Sequence, residues 1–418
     1  MASHNRLLLS LLLAALLLLP VAVSGWELRL TDHPGSQRFP SISGQKIVWQ
    51  DDRNGNWDIY LYDMGTGQTR RLTDDPKDQV SPRISGNRVV WEDYRNSGVL
   101  ENPDIYLLDL DTNQELMLNL PESIFGGYER RPAIDGDVVV WYESANGISE
   151  CGRIFYRYVD APDWPKQAYQ DTITQTDPDV SGQKVVWTDV DLGGVYFRYL
   201  LDSQVHVLER MSNDTIRGLR ISGDRVVWSQ FVPESMTYNI RLFELDPTMT
   251  GGTGRWLSPN AAPQEQPAID GVRIVWRDER NGNEDIYLYD LSVEQEVPLV
   301  VASGNQYTPD IDGDLVVFTD DRNGNDEIYV ASVPVLTPAP TPTVMVLAVP
   351  GGSSVPHDLN GDGKYEDVNG NSRKDFADVV LFFNQMTWIA ANEPVAAFDF
   401  NGNGRIDFAD VVQLFNGL

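Results

Sequence analysis

The sequence predicts a mainly β chain: a seven-bladed β-propeller closed by an N-terminal strand, then a small α-helical module. Three observations predict it. A phrase ending in an aromatic recurs seven times, an orphan strand-like segment precedes the first copy, and a duplicated acid-rich motif follows the last.

The chain opens on a targeting pattern. Arg6 precedes an apolar run from Leu7 to Leu19, interrupted only by Ser10; Pro20 breaks it, and Ala22, Ser24 and Gly25 supply small residues. A charged start, a short apolar stretch and a small-residue cleavage site read as a signal peptide over residues 1–25, implying a secreted or cell-surface protein. The run is shorter than the about 20 apolar residues a bilayer span needs. Adding Val21 to Val23 leaves an uncleaved anchor open; no later stretch approaches this length, so no membrane span is expected in the mature chain. Cys151 is the lone cysteine, which excludes an internal disulfide.

The 418 residues suffice for two or three domains. With 62 acidic against 32 basic residues and a formal charge of -30, the chain is poorly suited to nucleic acid, which requires clustered Lys and Arg. The balance suits a solvated surface and cation binding.

The repeat occupies residues 26–334. It ends at Trp49, Trp91, Trp141, Trp187, Trp228, Trp276 and Phe318, spaced 41 to 50 residues apart. Each copy couples an Ile/Val-Ser/Asp-Gly turn to a β-branched pair, and periods of this size with four short strands mark propeller blades. Strand a is the Phe39–Ile42 type, strand b the Val-Val-Trp run, strand c the alternating Asp58–Tyr62 type and strand d the Thr69–Thr73 type. The Trp series is expected between blades. Unit seven lacks strand d, whereas Glu27–Asp32 resembles Arg70–Asp74, so the N-terminal segment is expected to complete the last blade. These phrases, with their Arg-Asn-Gly-Asn hairpins, resemble TolB-like propeller repeats, a likeness that speaks for fold and not for function.

The Asn-Gly hairpins after Asp51, Asp278 and Asp320 read as turn chemistry with a structural role. Blades two to five depart from this pattern at Asp93–Pro103, Ser144–Gly152, Asp189–Gly194 and Gln230–Tyr238. A carbohydrate or protein ligand on that face is therefore expected in their sector, with Tyr94, Tyr142, Glu143, Trp164 and Phe231 as candidates. Catalysis finds little support: His33, His206 and His357 show no metal-ligand spacing, and neither a nucleophile elbow nor a phosphate loop occurs. A carboxylate pair of the glycosidase kind needs no sequence motif, so a polysaccharide hydrolase or lyase stays open. Asn213–Thr215 is the sole glycosylation sequon.

Residues 335–357, rich in Pro, Thr and Gly, read as a linker. An apolar patch, Val344 to Val349, interrupts it. Beyond lie two loops 32 residues apart: Asp367, Asn369, Asn371, Arg373, Asp375 and Asp378, then Asp399, Asn401, Asn403, Arg405, Asp407 and Asp410. Side-chain oxygens at places one, three, five, nine and twelve, with a backbone carbonyl at seven, match the EF-hand scheme for calcium, a hard cation taking six to eight oxygens. The same Phe-Ala-Asp-Val-Val helix start follows each loop. A third stretch, Asp358, Asn360 and Asp362, has similar spacing and reads as a further calcium site sharing Asp367.

A loop followed by one helix, duplicated over 358–418, resembles the dockerin modules of secreted proteins. That resemblance implies two calcium ions, with the third stretch as an addition, and a cohesin-like or other cell-surface partner. Asn371 and Asn403 stand where dockerins often have Asp. Phe376-Ala377 and Phe408-Ala409 stand where many carry small hydroxyls, which leaves the partner open. The reading is an exported, calcium-binding propeller protein with a docking module, leaning away from enzyme activity. The alternatives are a dockerin-bearing carbohydrate-active enzyme and a surface adhesion or envelope protein.

Overall fold

The computed structural model describes residues 25–97, 102–119, 128–144, 152–161, 165–168, 174–202, 204–211, 216–247, 251–257, 259–337 and 346–418. The chain separates into two compact units, Met1–Pro338 and Ala339–Leu418. The first holds seven four-stranded antiparallel sheets. Blade one is typical: Gln37–Ser43, Lys46–Asp51, Asp58–Asp63 and Gln68–Arg71, paired in that order.

Strand b explains why the sheets stack radially. In Lys46–Asp51 every residue after Lys46 is buried, so both faces of the strand need partners. Trp49 packs with Val317, Ile328 and Val330 of blade seven, and Trp91 packs with Val48, Ile59 and Leu61 of blade one. All six repeat tryptophans and Phe318 are fully buried. Five of the tryptophans and Phe318 lie at 5.8–6.2 Å, near-parallel, from an aromatic on strand c, as in Trp49–Tyr60 and Phe318–Tyr329. Burying each such ring contributes about 1.5–3 kcal/mol. The repeat aromatic is therefore blade-to-blade core, as its sequence context implied.

A second device joins the blades. The Ser or Asp before each turn glycine accepts the backbone N–H of the next blade's turn glycine. The series is Ser43–Gly86, Ser85–Gly136, Asp135–Gly182, Ser181–Gly223, Ser222–Gly271, Asp270–Gly313 and Asp312–Gly44, at 2.5–3.0 Å. Glycine serves there because the turn needs a left-handed backbone, as at Gly44 with φ 57°. The last pair joins blade seven to blade one.

Closure is completed by Glu27–Arg29. Its residues pair with Ala331, Val330 and Tyr329, making the outer strand of blade seven. Glu27 also pairs with Arg322 at 2.7 Å, and Arg29 with Glu327. The seven-bladed ring with N-terminal strand closure is thus the observed architecture.

Each innermost strand carries a bulge. Phe39, Ser81, Arg131, Asp177, Gly218, Gln266 and Thr308 have φ between 50° and 62° and interrupt the pairing with strand b. All but Gly218 precede a proline, which lacks the N–H that a bulge would leave unpaired. These bulges line the central channel.

The second unit holds α1 (Phe376–Asn392), α2 (Val395–Phe398) and α3 (Phe408–Asn416). Phe382, Ile389, Phe398, Val411 and Leu414 form its core, joined by Val349 and, partly buried, Val346. The described part of the apolar patch thus packs within this unit, and the Leu347 N–H donates to Glu393. Among the described residues no helix is long and apolar enough to cross a membrane. Residues 1–24, Cys151, Trp164 and the sequon at 213–215 lie outside the described residues.

Candidate functional site

The two loops of the C-terminal unit are copies in geometry as well as sequence. Asp367 accepts the N–H groups of Asn371 (2.9 Å) and Ser372 (2.6 Å). Asn369 accepts that of Asn371 (3.0 Å), and Asn371 that of Arg373 (2.8 Å). Asp378 closes the loop, accepting from Asn369 (3.0 Å) and Asp375 (2.8 Å). In loop two, Asp399 accepts from Asn403 (3.0 Å) and Gly404 (2.8 Å), Asn401 from Asn403 (2.9 Å), and Asn403 from Arg405 (2.9 Å). Asp410 accepts from Asn401 (3.1 Å) and Asp407 (2.8 Å).

The ninth and twelfth residues also start the helices. Asp375 caps α1 and Asp407 caps α3, each in a reciprocal capping box with Asp378 or Asp410. The loops turn through left-handed residues at places four and six: Gly370 and Ser372, then Gly402 and Gly404. Ser372 takes φ 67° with a side chain present, a strain of about 1–2 kcal/mol.

The donor set fits calcium. It is made of carboxylate, amide and carbonyl oxygens, without nitrogen or sulfur. Asp367 and Asp378 are both fully buried in one loop. Burial raises the Asp378 pKa, and the charges of Asp367 and Asp375 add to the rise. Neighbouring buried carboxylates are costly alone and are relieved by a cation. When bound, calcium would be held by Asp367, Asn369, Asn371, the Arg373 carbonyl and Asp378, with Asp375 at the ninth place, and by the matching residues of loop two.

The third stretch repeats the pattern. Asp358 accepts from Gly361 and Gly363, Asn360 from Asp362, and Asp362 from Lys364, all at 2.8 Å. Gly361 and Gly363 supply the left-handed turns. Glu366 joins this stretch. Asp358 and Asp362 are brought together with Glu366, their carboxylate oxygens within 4.8 Å of one another. Asp367 is held by its own loop and by His357 Nδ1 at 2.8 Å. Glu366 is the ninth residue counted from Asp358, the place that Asp375 and Asp407 fill; counting places would have found it.

The helices carry an exposed aromatic surface. Phe376 of α1 meets Phe415 of α3 edge-to-face at 6.1 Å, and Phe383 of α1 meets Phe408 of α3 at 5.9 Å. The pairing exchanges equivalent positions of the two repeats. All four rings are 52–61% exposed, and Val380 and Val412 are exposed beside them in sequence.

On the propeller, the hairpin motif is a local network. Arg53 grips Asp51 and lies 4.5 Å over the Tyr60 ring, while Asn54 donates to Asp58 and the Tyr60 hydroxyl. Blades six and seven repeat this with Arg280 and Arg322. Blade two, expected to depart, repeats it too: Arg95 grips Asp93 and stacks on Tyr106, and Asn96 donates to Asp104 and Tyr106. The extra residues fall after Asn96, so the network survives them. Of the candidate ligand residues, Tyr142 is buried in blade core, and Phe231 meets Tyr238 edge-to-face at 5.5 Å. Tyr94 and Glu143 are partly buried.

The concave site of the propeller is its central channel. One mouth is a cavity of about 460 Å³ lined by the bulges and by Arg83, Arg130, Arg131, Arg220 and Glu92. The opposite mouth, about 400 Å³, is lined by Asp135, Asp179, Asp270, Asp310 and Asp312, and Arg83 and Arg220 border it as well as the first.

Residues 365–418 match the dockerin type I domain and form one. Dockerin domains bind calcium and cohesins and occur in extracellular proteins. No curated protein matches the chain. Among solved structures, an oligogalacturonate lyase from Vibrio parahaemolyticus is similar at TM-score 0.56 and 16% identity, over 75% of this chain and 98% of that one. The β-propeller domain of the Trilobed protease from Pyrococcus furiosus follows at 0.54 and 11%, over 72% and 94%. TolB from Acinetobacter baumannii is similar at 0.44 and 16%, over 64% and 67%. At these identities the likeness to the lyase and to the protease propeller is one of fold.

Proposed function

We propose that this chain is an exported protein whose dockerin module, braced by calcium, docks a propeller of recognition or scaffold type onto a cohesin-type partner. The carrying observation is the duplicated loop whose closing carboxylates, Asp378 and Asp410, also cap the helices bearing the exposed phenylalanines. Calcium binding, loop closure and helix start therefore share the same atoms. In this reading residues 1–25 are a signal peptide, 26–334 the propeller, 335–357 a linker whose end from Val346 packs on the module, and 358–418 the docking module. Asp358, Asn360, Asp362 and Glu366 would hold a third ion. Phe376, Phe383, Phe408 and Phe415 offer an apolar contact surface in place of hydroxyls.

The test is capture of the full chain on an immobilised type I cohesin domain. Capture in calcium, lost in chelator, supports the proposal; equal capture in both, or none in either, counts against it.

A second reading is a dockerin-delivered hydrolase or lyase acting on polysaccharide. It draws on the channel, where arginines and carboxylates meet in one cavity of a fold shared with an oligogalacturonate lyase. Release of reducing ends or of unsaturated products from acidic polysaccharides would distinguish it from pure binding.

A further inference from the structure

The wide mouth of the channel gathers Arg83, Arg130, Arg131 and Arg220 against Glu92 and Asp177, in a chain where acids outnumber bases 62 to 32. Local charge there runs opposite to that of the whole chain.

Carboxylates engage Arg83 and Arg220 only loosely. Arg131 does pair with Asp177. Arg83 makes no hydrogen bond through its side chain among the described residues, and its ion pair with Asp310 is long, at 4.0 Å. Arg220 donates to the Leu219 carbonyl at 2.8 Å and has no carboxylate within 4.0 Å among the described residues. Arg83 comes from blade two and Arg220 from blade five, so they reach the channel from across the ring. Burial, with the charge of Arg220, lowers Arg83 to about 10, against the pull of Asp310 and Asp179. Two partly buried guanidinium groups lining one cavity, with fork donors left over, match the planar geometry of a carboxylate. Around them, Pro40, Pro82, Pro132, Pro178, Pro267 and Pro309 give the wall flat apolar faces.

We propose that this mouth binds a small organic anion through its carboxylate groups, with Arg83 and Arg220 as the primary grip and Arg130 at the rim. A cavity of about 460 Å³ lies within the range used for small ligands and admits one of disaccharide size. The inference rests on reading the propeller as the recognising part of the chain. The docking proposal names no channel residue, so failure here leaves it separately testable.

The experiment is calorimetric titration of the full chain, in calcium and physiological salt, with citrate, with digalacturonate and with the neutral disaccharide maltose. The expected result is one saturable site for at least one carboxylated probe, silence with maltose, and weakening of about tenfold or more in Arg220→Gln and in Arg83→Gln. Binding of citrate alone identifies a compact organic acid as the ligand type, and binding of digalacturonate alone an acidic sugar. Arg220→Lys, which keeps charge but loses the fork, is expected between wild type and Arg220→Gln. An unchanged thermal transition checks that each variant folds, and the Arg220 variants decide the matter if Arg83→Gln does not. No binding of either carboxylated probe, equal binding of maltose, or unchanged affinity in the folded Arg220→Gln variant overturns the proposal.

Discussion

The carboxylate of Asp312 accepts the backbone N–H of Gly44 at 2.5 Å, joining residues 268 apart in sequence. Six equivalent bonds join the other neighbouring blades; this one crosses the seam where the ring closes. The seam carries a second tie, the pairing of Glu27–Arg29 with Tyr329–Ala331.

Asp312→Ala should cost about 1 kcal/mol, the usual net value of one hydrogen bond, and lower the propeller's melting temperature by a few degrees. Deleting residues 26–31 should cost far more. It bares the edge of Glu327–Ser332 and removes both ion pairs, so self-association is expected beside a lower transition. Calorimetry and size-exclusion chromatography check both variants. Equal effects would mean that the N-terminal strand contributes no more than one bond.

Glu129 gives a pH signature. It is 1% exposed on the inner strand of blade three; burial, with the charges of Glu143 and Asp104, pushes its carboxyl up to about 9. The folded state then holds this proton more tightly than the unfolded chain does. The group's contribution to stability is therefore full below about pH 4.5 and lost as pH rises toward 9. Glu129→Gln should match wild type near pH 4 and melt several degrees higher at pH 8–9. Thermal scans across that range measure the difference, and a constant offset would contradict the assignment.

Asp410 has two duties, so its loss should show twice. Asp410→Ala removes the proposed twelfth-place ligand of loop two and half of the capping box of α3. Calcium affinity at loop two should fall by at least about tenfold, and helix stability by about 1 kcal/mol. Calcium titration followed by circular dichroism reads both effects.

Adjacent phenylalanines should behave in opposite ways. Phe382 is fully buried against Phe398 and Phe400, whereas Phe383 is half exposed. Phe382→Ala should destabilise the module by about 3–5 kcal/mol. Phe383→Ala, best combined with Phe415→Ala, should leave its melting nearly unchanged and weaken cohesin capture. Retained capture would move the docking surface elsewhere.

Much of this was legible in the sequence because the physical demands repeat. A Val-Val-Trp strand buried on both faces must be sandwiched, and seven copies with one orphan strand leave one closed ring. The paired loops were legible because the same spacing of acids and amides is written twice. Three features were not. Blade two was set apart by hairpin length, although its extra residues leave Asp93, Arg95 and Asn96 in place to meet Asp104 and Tyr106. Glu366 was passed over for Asp367, one place further on, because the third loop lacks the helix that anchors counting in the other two. The arginine-lined mouth could not be seen at all: Arg83 and Arg220 stand in different blades, and only the ring brings their bulged strands to one cavity.

The most direct test is differential scanning calorimetry of the full chain in calcium and again in excess chelator. The account predicts two transitions in calcium. On chelation the one belonging to the dockerin module collapses, while that of the propeller stays within a degree or so. A module transition that stays in place without calcium would contradict the claim that calcium braces the docking surface.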